Sequence, residues 1–171
     1  MASGTTLQGF PPLLPAGPIA ALILGSFPSV VSLRTGEYYG NPQNWFWRVL
    51  QACGAIPNAD APYDERVSAL TSLGIAVWDL YATVEREGSG DDRIRNARPN
   101  RIADLHGERG PFRVLLNGRR SREWRRSFGD LTAEMIALPS TSPRPLHWNT
   151  ATDREAAIEE WRRALADVPG D

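Results

Sequence analysis

Residues 22–29 read Leu-Ile-Leu-Gly-Ser-Phe-Pro-Ser, and residues 38–47 read Tyr-Tyr-Gly-Asn-Pro-Gln-Asn-Trp-Phe-Trp. The apolar run 19–24 predicts a buried strand that ends in the turn sequence Gly-Ser-Phe-Pro. Asn41 and Pro42 then suit the start of a helix, which we expect to run to Cys53. In α/β proteins, ligands bind where a strand ends and leads into a helix. Two tyrosines and an amide at such a point suit a planar, uncharged, hydrogen-bonding ligand such as a nucleobase.

Strands and helices alternate along the rest of the chain. Apolar runs predict three more strands, at 75–78, 112–116 and 134–138. Helical spacing and turn residues predict further helices at 63–73, 100–106, 121–128 and 151–166. This alternation is typical of an α/β fold, here a three-layer α/β/α arrangement around a central, mainly parallel four-stranded sheet.

The ends of the chain and one internal segment differ in composition from these elements. Residues 1–18 are rich in proline and glycine, and we expect them to form an irregular leader. The segment 79–92 is rich in glycine and acidic residues and is expected to be a loop. We therefore predict one domain, spanning residues 19–171.

Composition argues against several classes of site. A single cysteine, Cys53, provides neither an internal disulfide nor a four-cysteine iron–sulfur cluster, and two histidines make a zinc site unfavourable. We expect no metal and no cofactor. The sequence contains neither the roughly 20-residue apolar run of a membrane span nor the pattern of a secretory signal. A cytoplasmic monomer that does not contact membranes is therefore expected.

The charge of the chain is nearly balanced, but its distribution is not. All 19 basic residues are arginine and the net charge is −1. Arginines gather in two groups, at 93–101 and at 109–126, whereas acidic residues gather at 60–65, 85–92 and 153–160. Such a distribution indicates local binding of phosphates, although solvated helix faces would explain it equally well.

The motif residues also carry a family resemblance. Gly-Ser-Phe-Pro at 25–28 and Asn-Pro-x-Asn-x-Phe-Trp at 41–47 resemble the first motif of the uracil-DNA glycosylase superfamily, especially its mismatch-specific and hypoxanthine-excising branches. The resemblance implies the same three-layer fold and a DNA partner containing a deaminated base, which is flipped out of the duplex and hydrolysed from its sugar. Because the chain has no lysine, a lysine Schiff base cannot form, and we expect a monofunctional enzyme without lyase activity.

The resemblance to the hypoxanthine branch assigns the catalytic role to Asn44. Its neutral amide can hold a water molecule and can donate to the sugar or the base. Phe27 stands where the mismatch-specific branch has a catalytic asparagine, which leaves the Gly-x-x-Pro loop without an amide. The alternative is that Asn44 bonds the backbone at a helix start, a common role for asparagine. Asn41 is expected to be a plain cap.

The base itself should meet residues that follow the first two strands. Gly25, Ser26 and Phe27 form the loop beside it, and Tyr39 is at the position where relatives stack an aromatic ring on the flipped base. Asp79 ends the second strand, where uracil-excising relatives have an asparagine that reads the base. A carboxylate only accepts, which suits the N1–H donor of hypoxanthine. Asp79 could instead cap the next loop or pair with Arg86.

Two later segments are expected to hold the DNA strand. Asn117, Gly118, Arg119 and Arg120 would form a phosphate-facing turn and helix start, or simply an ordinary turn. Ser140, Thr141 and Ser142 resemble the second motif of the superfamily, a loop that grips phosphates. Arg144 could fill the space that the flipped base leaves, and Leu146 or Trp148 are alternatives. We interpret His147 as a loop histidine without a role in catalysis.

Three functions remain in competition at this stage. A hypoxanthine-DNA glycosylase acting on deoxyinosine is favoured. The first alternative is a uracil-DNA glycosylase on the same fold, including action on mismatched uracil. The second is a non-catalytic nucleotide-binding or nucleic-acid-binding module, which the substitution at Phe27 would favour.

Overall fold

The computed structural model describes residues 5–118, 128–129 and 131–168. In these ranges the strands are β1 (Thr6–Gln8), β2 (Ala21–Gly25), β3 (Ile75–Asp79), β4 (Tyr81–Glu85), β5 (Arg95–Pro99), β6 (Arg113–Asn117) and β7 (Met135–Leu138). The helices are α1 (Val30–Thr35), α2 (Phe46–Ala52), α3 (Tyr63–Ser72), α4 (Ile102–Arg109) and α5 (Ala151–Ala166). The predicted arginine-rich helix 121–128 lies outside the described residues except for Phe128.

The central sheet confirms the predicted fold class. Its four strands have the order β3-β2-β6-β7, and every neighbouring pair is parallel. The register places Gly25 beside Asp79, and Asn117 beside Leu138. Because all four strands point the same way, the residues that follow them meet at one edge of the sheet.

Helices cover both faces of this sheet. Alternate residues of β2 point to opposite sides: Ile23 belongs to the core formed with α2, α3 and α5, and Leu22 and Leu24 belong to the core formed with α4. All five β2 residues are buried, four of them completely. Burying a leucine or isoleucine side chain contributes roughly 1.5–3 kcal/mol. The two cores that flank the sheet therefore stabilise the three-layer arrangement.

A second, smaller sheet differs from the sequence expectation. The strands β1, β4 and β5 form an antiparallel sheet in the order β1-β4-β5. The segment expected to be a leader is therefore joined to the domain through β1, through a bridge from Leu13 to Val77, and through Arg109, which donates to two carbonyls at 15 and 17. Part of the segment expected to be a loop forms β4. Backbone hydrogen bonds with distant partners create these strands, and composition does not reveal them.

Helix boundaries show smaller differences. α5 has the predicted bounds, and Thr150 caps it by accepting from the Asp153 N–H. α2 begins at Phe46 rather than at Pro42, so residues 41–45 form turns before the helix. α1 was not expected from the sequence. Its side-chain cap is Ser29, which accepts from the Ser32 N–H. None of the described helices has both the length and the apolar character needed to cross a membrane.

Candidate active site at the carboxyl ends of the parallel strands

A cavity of about 900 Å³ lies beyond the carboxyl ends of the central strands. It is lined by every predicted site residue that the structure describes: Gly25, Ser26, Phe27, Tyr39, Asn44, Asp79, Asn117, Gly118, Ser140, Thr141, Ser142 and Arg144. The remaining two, Arg119 and Arg120, lie outside the described residues. Side chains that are distant in sequence thus share one cavity.

Gly25 lies beside two polar groups that line this cavity. A Cβ atom at this position would lie 2.5 Å from Asp79 Oδ1 and 2.8 Å from the Tyr39 hydroxyl oxygen. Both distances are shorter than van der Waals contact allows, so any larger residue would displace one group or the other. The glycine therefore allows the carboxylate and the hydroxyl to approach each other.

Asp79 is the most perturbed acid of the site. The residue is 4 % exposed, and among the described residues its buried Oδ2 has no hydrogen-bond partner. The pKa of the Asp79 carboxyl is raised to about 7, first by burial and then by the negative charge of Asp91, against the opposing effect of Arg86. A buried, unpaired carboxylate oxygen is costly unless a ligand satisfies it.

Arg86 does not bond the Asp79 carboxylate, although pairing was one sequence-based alternative. Its guanidinium donates to the Pro28 carbonyl and lies 5.1 Å from the centre of the Phe27 ring. The residue is 8 % exposed, and its Nε and one terminal nitrogen lack partners in the described structure. Phe27 thus packs on a buried cation, a role that the sequence motif does not reveal.

Tyr39 is held tightly by its neighbours. Its backbone has a φ of 53°, in the left-handed region that residues other than glycine seldom adopt. The ring stacks on Phe46 with centroids 3.8 Å apart and planes at 16°. Burial and the nearby Asp79 charge raise the pKa of the Tyr39 hydroxyl, so it stays protonated at neutral pH. Phe46, which was not predicted as a site residue, therefore supports the ring that lines the cavity.

Asn117 connects this ring to the loop after β7. Its Nδ2 donates to the Tyr39 hydroxyl at 3.1 Å and to Thr141 Oγ1 at 2.9 Å. Its Oδ1 accepts from the Thr141 N–H at 2.9 Å. Because both amide hydrogens and the oxygen are engaged within the protein, the arrangement favours a positioning role over the DNA contact expected from the sequence.

The loop 139–142 is fixed mainly through its backbone carbonyls. The Trp161 indole donates to the Pro139 carbonyl, and the Trp148 indole donates to the Ser140 carbonyl, each at 2.9 Å. Thr141 is fully buried, so the hydroxyls left near the cavity surface belong to Ser140 and Ser142. The domain therefore holds the loop by its main chain and leaves these two hydroxyls beside the cavity.

The start of α2 is tied to the same loop. The Trp45 N–H donates to the Thr141 carbonyl at 2.9 Å. One residue earlier, Asn44 Oδ1 accepts from the Phe46 N–H at 2.9 Å, which is the backbone-bonding role considered from the sequence. Within the described residues, Asn44 Nδ2 has no hydrogen-bond partner, and the residue lines the cavity. The side chain is thus oriented by its oxygen, while its N–H groups are left for a ligand or water. Asn41 caps its own turn by accepting from the Gln43 N–H.

The rim of the cavity contains acidic residues that sequence reasoning missed. Ser26 Oγ donates to Asp91 Oδ1 at 2.8 Å, and Arg144 forms an exposed ion pair with Asp92 at 3.5 Å. Both acids line the cavity and follow β4, in the segment that was expected to be a loop. Their position after a strand end would have been the signal, had β4 been recognised.

Two further expectations concern the space left by a flipped base and metal binding. Trp148, one alternative for filling that space, is 4 % exposed and stacks on Trp45 with centroids 5.1 Å apart. The side chain of Leu146, the other alternative, lies outside the description, and Arg144 is exposed at the rim. Among the described residues, no group of three or more His, Cys, Asp or Glu side chains is arranged to hold a metal ion.

Comparison with known proteins identifies the family to which this chain belongs. The model of the Uracil DNA glycosylase superfamily matches residues 11–166. A Hypoxanthine DNA glycosylase from Methanosarcina barkeri is 35 % identical over 146 residues, covering 81 % of this chain and 90 % of that protein. Its namesake from Methanosarcina acetivorans is 34 % identical over 136 residues, covering 79 % and 85 %.

A solved structure is similar as well. The solution NMR structure of a candidate uracil DNA glycosylase from Methanosarcina acetivorans superposes with a TM-score of 0.75 at 32 % identity, covering 95 % of this chain and 99 % of that one. The fold of this structure and the extent of the sequence matches thus lead to the same family. The chain belongs to the uracil DNA glycosylase superfamily.

Proposed function

We propose that this protein is a monofunctional DNA glycosylase that hydrolyses the N-glycosidic bond of a deaminated base in DNA, with deoxyinosine as the favoured substrate. Two relatives at about 35 % identity bear the name Hypoxanthine DNA glycosylase, which supports this choice. The observation that carries the proposal is the convergence of the Tyr39 ring, the Asn44 amide and the unpartnered Asp79 oxygen on one cavity.

Tyr39 and Asp79 recognise the flipped base in this proposal. Phe46 covers one face of the Tyr39 ring, and stacking of the base on the other would extend the pair into a three-ring stack. Asp79, when ionised, accepts from the N1–H of hypoxanthine and so satisfies its buried Oδ2. Adenine presents an acceptor at N1 instead, so the same carboxylate would disfavour the undamaged base.

Asn44 organises the chemistry in this proposal. Its Oδ1 is fixed by the Phe46 N–H, which orients the amide without any rearrangement at the moment of reaction. The free Nδ2 donates to the sugar or the base, and the second lone pair of Oδ1 can hold the attacking water. Because the chain contains no lysine, water is the nucleophile and the product is an abasic site with an intact strand.

Ser140, Ser142 and Gly118 hold the strand next to the flipped nucleotide, and Arg144 fills the space that the base leaves. Arg144 is exposed, and its ion pair with Asp92 lies at the surface, contributes little and can be exchanged for a DNA contact. Arg119 and Arg120 are retained as predicted phosphate contacts. The proposal also retains a single domain and a cytoplasmic monomer, as expected from the sequence.

Uracil is the second candidate base. Its N3–H is also a donor, so the Asp79 carboxylate would accept from it as readily as from hypoxanthine. The structural relative described as a candidate uracil DNA glycosylase favours this reading too.

A panel of duplex oligonucleotides, each with a single hypoxanthine, uracil or xanthine, tests the proposal under single-turnover conditions. We expect hypoxanthine to be released fastest and the strand to remain uncut until alkali is added. Faster release of uracil would move the assignment to the second candidate. Tight lesion binding without release of any base would favour a non-catalytic module and overturn the proposal.

A further inference from the structure

Two arginines share one tryptophan outside the cavity. The guanidinium carbon of Arg48 lies 4.2 Å from the centre of the Trp45 ring, and that of Arg154 lies 5.4 Å from it. Trp148 stacks on the same ring, with centroids 5.1 Å apart and planes at 7°. We call Trp45, Arg48 and Arg154 the Trp45 cluster. Stacking on an aromatic ring orders the guanidinium groups while leaving their N–H donors exposed at the edges.

The positive charges of the Trp45 cluster are not neutralised within the described structure. Among the described residues, Arg48 donates only to the carbonyls of Pro42 and Asn44, and Arg154 has no ion pair. The acids beside Arg154 in sequence are engaged elsewhere: Asp153 accepts from Thr150, and Glu155 pairs with Arg162. By contrast, Arg162 and Arg163 on the same helix both pair with Glu159.

The Trp45 cluster adjoins the cavity wall. The Trp45 N–H donates to the carbonyl of Thr141, which lines the cavity. The Arg48 guanidinium donates to the Pro42 carbonyl at 2.7 Å, and the residues on either side of Pro42 also line the cavity. Two cations without an acidic partner in the described part of the chain therefore lie beside the loop that is proposed to grip the DNA strand.

We propose that Arg48 and Arg154, ordered by Trp45, bind the phosphate backbone of DNA beside the cavity. Guanidinium groups donate to phosphate oxygens in a forked geometry, and their N–H donors are already directed by the ring. The contact is independent of sequence and of damage, because phosphates are present in every duplex. The proposal rests on the proposed function only in that DNA is the partner; it does not depend on which base is excised.

The test measures binding of an undamaged duplex as a function of salt. The double variant Arg48→Gln/Arg154→Gln is compared with Arg162→Gln/Arg163→Gln, which removes the same net charge from arginines paired with Glu159. The slope of log K against log salt is negative, and each lost phosphate contact reduces its magnitude by about 0.9, so we expect the slope of the first pair to be shallower by about 1.8. We also expect its affinity to fall about ten-fold, and that of the control to stay near the parent value.

The outcomes separate this proposal from the proposed function. An unchanged slope in Arg48→Gln/Arg154→Gln, or an equal loss in both double variants, would overturn the role of the Trp45 cluster. Restoration of the parent slope by Arg48→Lys/Arg154→Lys would support a phosphate contact, since charge is kept. Excision is measured separately on the lesion panel, so a protein that releases no base still gives a decisive salt slope.

Discussion

On the β6–β7 side of the cavity, Asn117 and Thr141 satisfy one another and the Tyr39 hydroxyl, whereas on the β2–β3 side Asp79 keeps a buried oxygen without a partner in the described structure. Both sides are built from residues at the carboxyl ends of parallel strands. They differ because an amide can donate and accept at once, while a carboxylate can only accept.

The difference separates two kinds of functional residue. A fully paired group holds geometry, since breaking any of its bonds leaves another buried group unsatisfied. A buried group without a partner costs free energy in the unbound protein and recovers it when a ligand supplies the missing donor. The paired side therefore positions the ring and the loop, and the unpaired side is where base identity should be read.

The largest effect is expected at Asn44, which belongs to both kinds: its oxygen is paired with the Phe46 N–H and its nitrogen has no partner among the described residues. We expect Asn44→Ala to lower the single-turnover rate by about 10²–10³-fold, the usual effect of removing one oriented group from an active site. DNA affinity should be nearly unchanged.

A matched variant separates catalysis from capping at this position. Asn44→Ser keeps a side-chain oxygen that can cap the helix, so its melting temperature should stay closer to that of the parent. Its excision rate should nevertheless fall as far as that of Asn44→Ala. If Asn44→Ser excised base at the parent rate, Asn44 would be a cap and nothing more.

The second effect is expected at Asp79. Replacing it with alanine should slow hypoxanthine release by about 10–100-fold, the value of one hydrogen bond to a charged group. Since the pKa of the Asp79 carboxyl is about 7 and the ionised form accepts from N1–H, kcat/KM should rise with pH through this value. Asp79→Asn should flatten that rise, as a pH profile across neutrality would reveal.

The contribution of the same carboxyl to stability should fall as pH rises, opposite to the predicted rise in kcat/KM. The pKa of Asp79 is raised in the folded state from 3.8 to about 7, so between these values the folded protein holds a proton that the unfolded chain has released. Its contribution to stability therefore falls as pH rises through this window and is constant above it. Above this pH window, Asp79→Asn should have a higher melting temperature than the parent. The difference in melting temperature should become smaller as pH falls toward 3.8. A difference that is the same at every pH would contradict the raised pKa.

The smallest effect on the rate is expected at Asn117, on the paired side. Asn117→Ala leaves the Thr141 N–H and the Tyr39 hydroxyl without their partner, which should cost about 1–3 kcal/mol in the free energy of unfolding. We expect the excision rate to fall about ten-fold, because the ring and the loop lose their common anchor.

Asn58→Ala is the matched control, since it removes a side-chain bond to the Asp60 N–H in a loop away from the cavity. Denaturant unfolding and single-turnover excision of both variants provide the comparison. Equal excision rates for the two variants would show that Asn117 does not position the catalytic groups.

Much of the central fold could be predicted because its signals are local. The apolar runs of β2, β3 and β6, and the helical spacing of α5, are visible in short windows of sequence. The second sheet is not visible in this way. β5 reads Arg-Asn-Ala-Arg-Pro, which has no alternation of apolar and polar residues, and the strand is mostly exposed. The six residues of α1 are likewise too short for a periodic pattern.

The sequence indicated which residues would form the site better than it indicated what each of them does. Strand ends and the family motif indicated which residues would meet, and all those that the structure describes line the cavity. The roles of Asn117 and Phe46 depend on partners distant in the chain or on ring packing, such as the bond from Asn117 to Tyr39. The unpaired arginines of the Trp45 cluster could not be distinguished from paired ones without coordinates.

The pairing of β1 with β4 has a consequence for how the chain is made. Thr6 leaves the ribosome well before its partner Glu85, which is synthesised only after β2 and β3 are complete. The β1 segment must wait, unpaired, while the chain as far as β4 emerges, and long-range pairing of this kind is slow. Its pairing with β4 should therefore begin only after β2 and β3 are available to pair with each other, and while β6 and β7 are still to be synthesised.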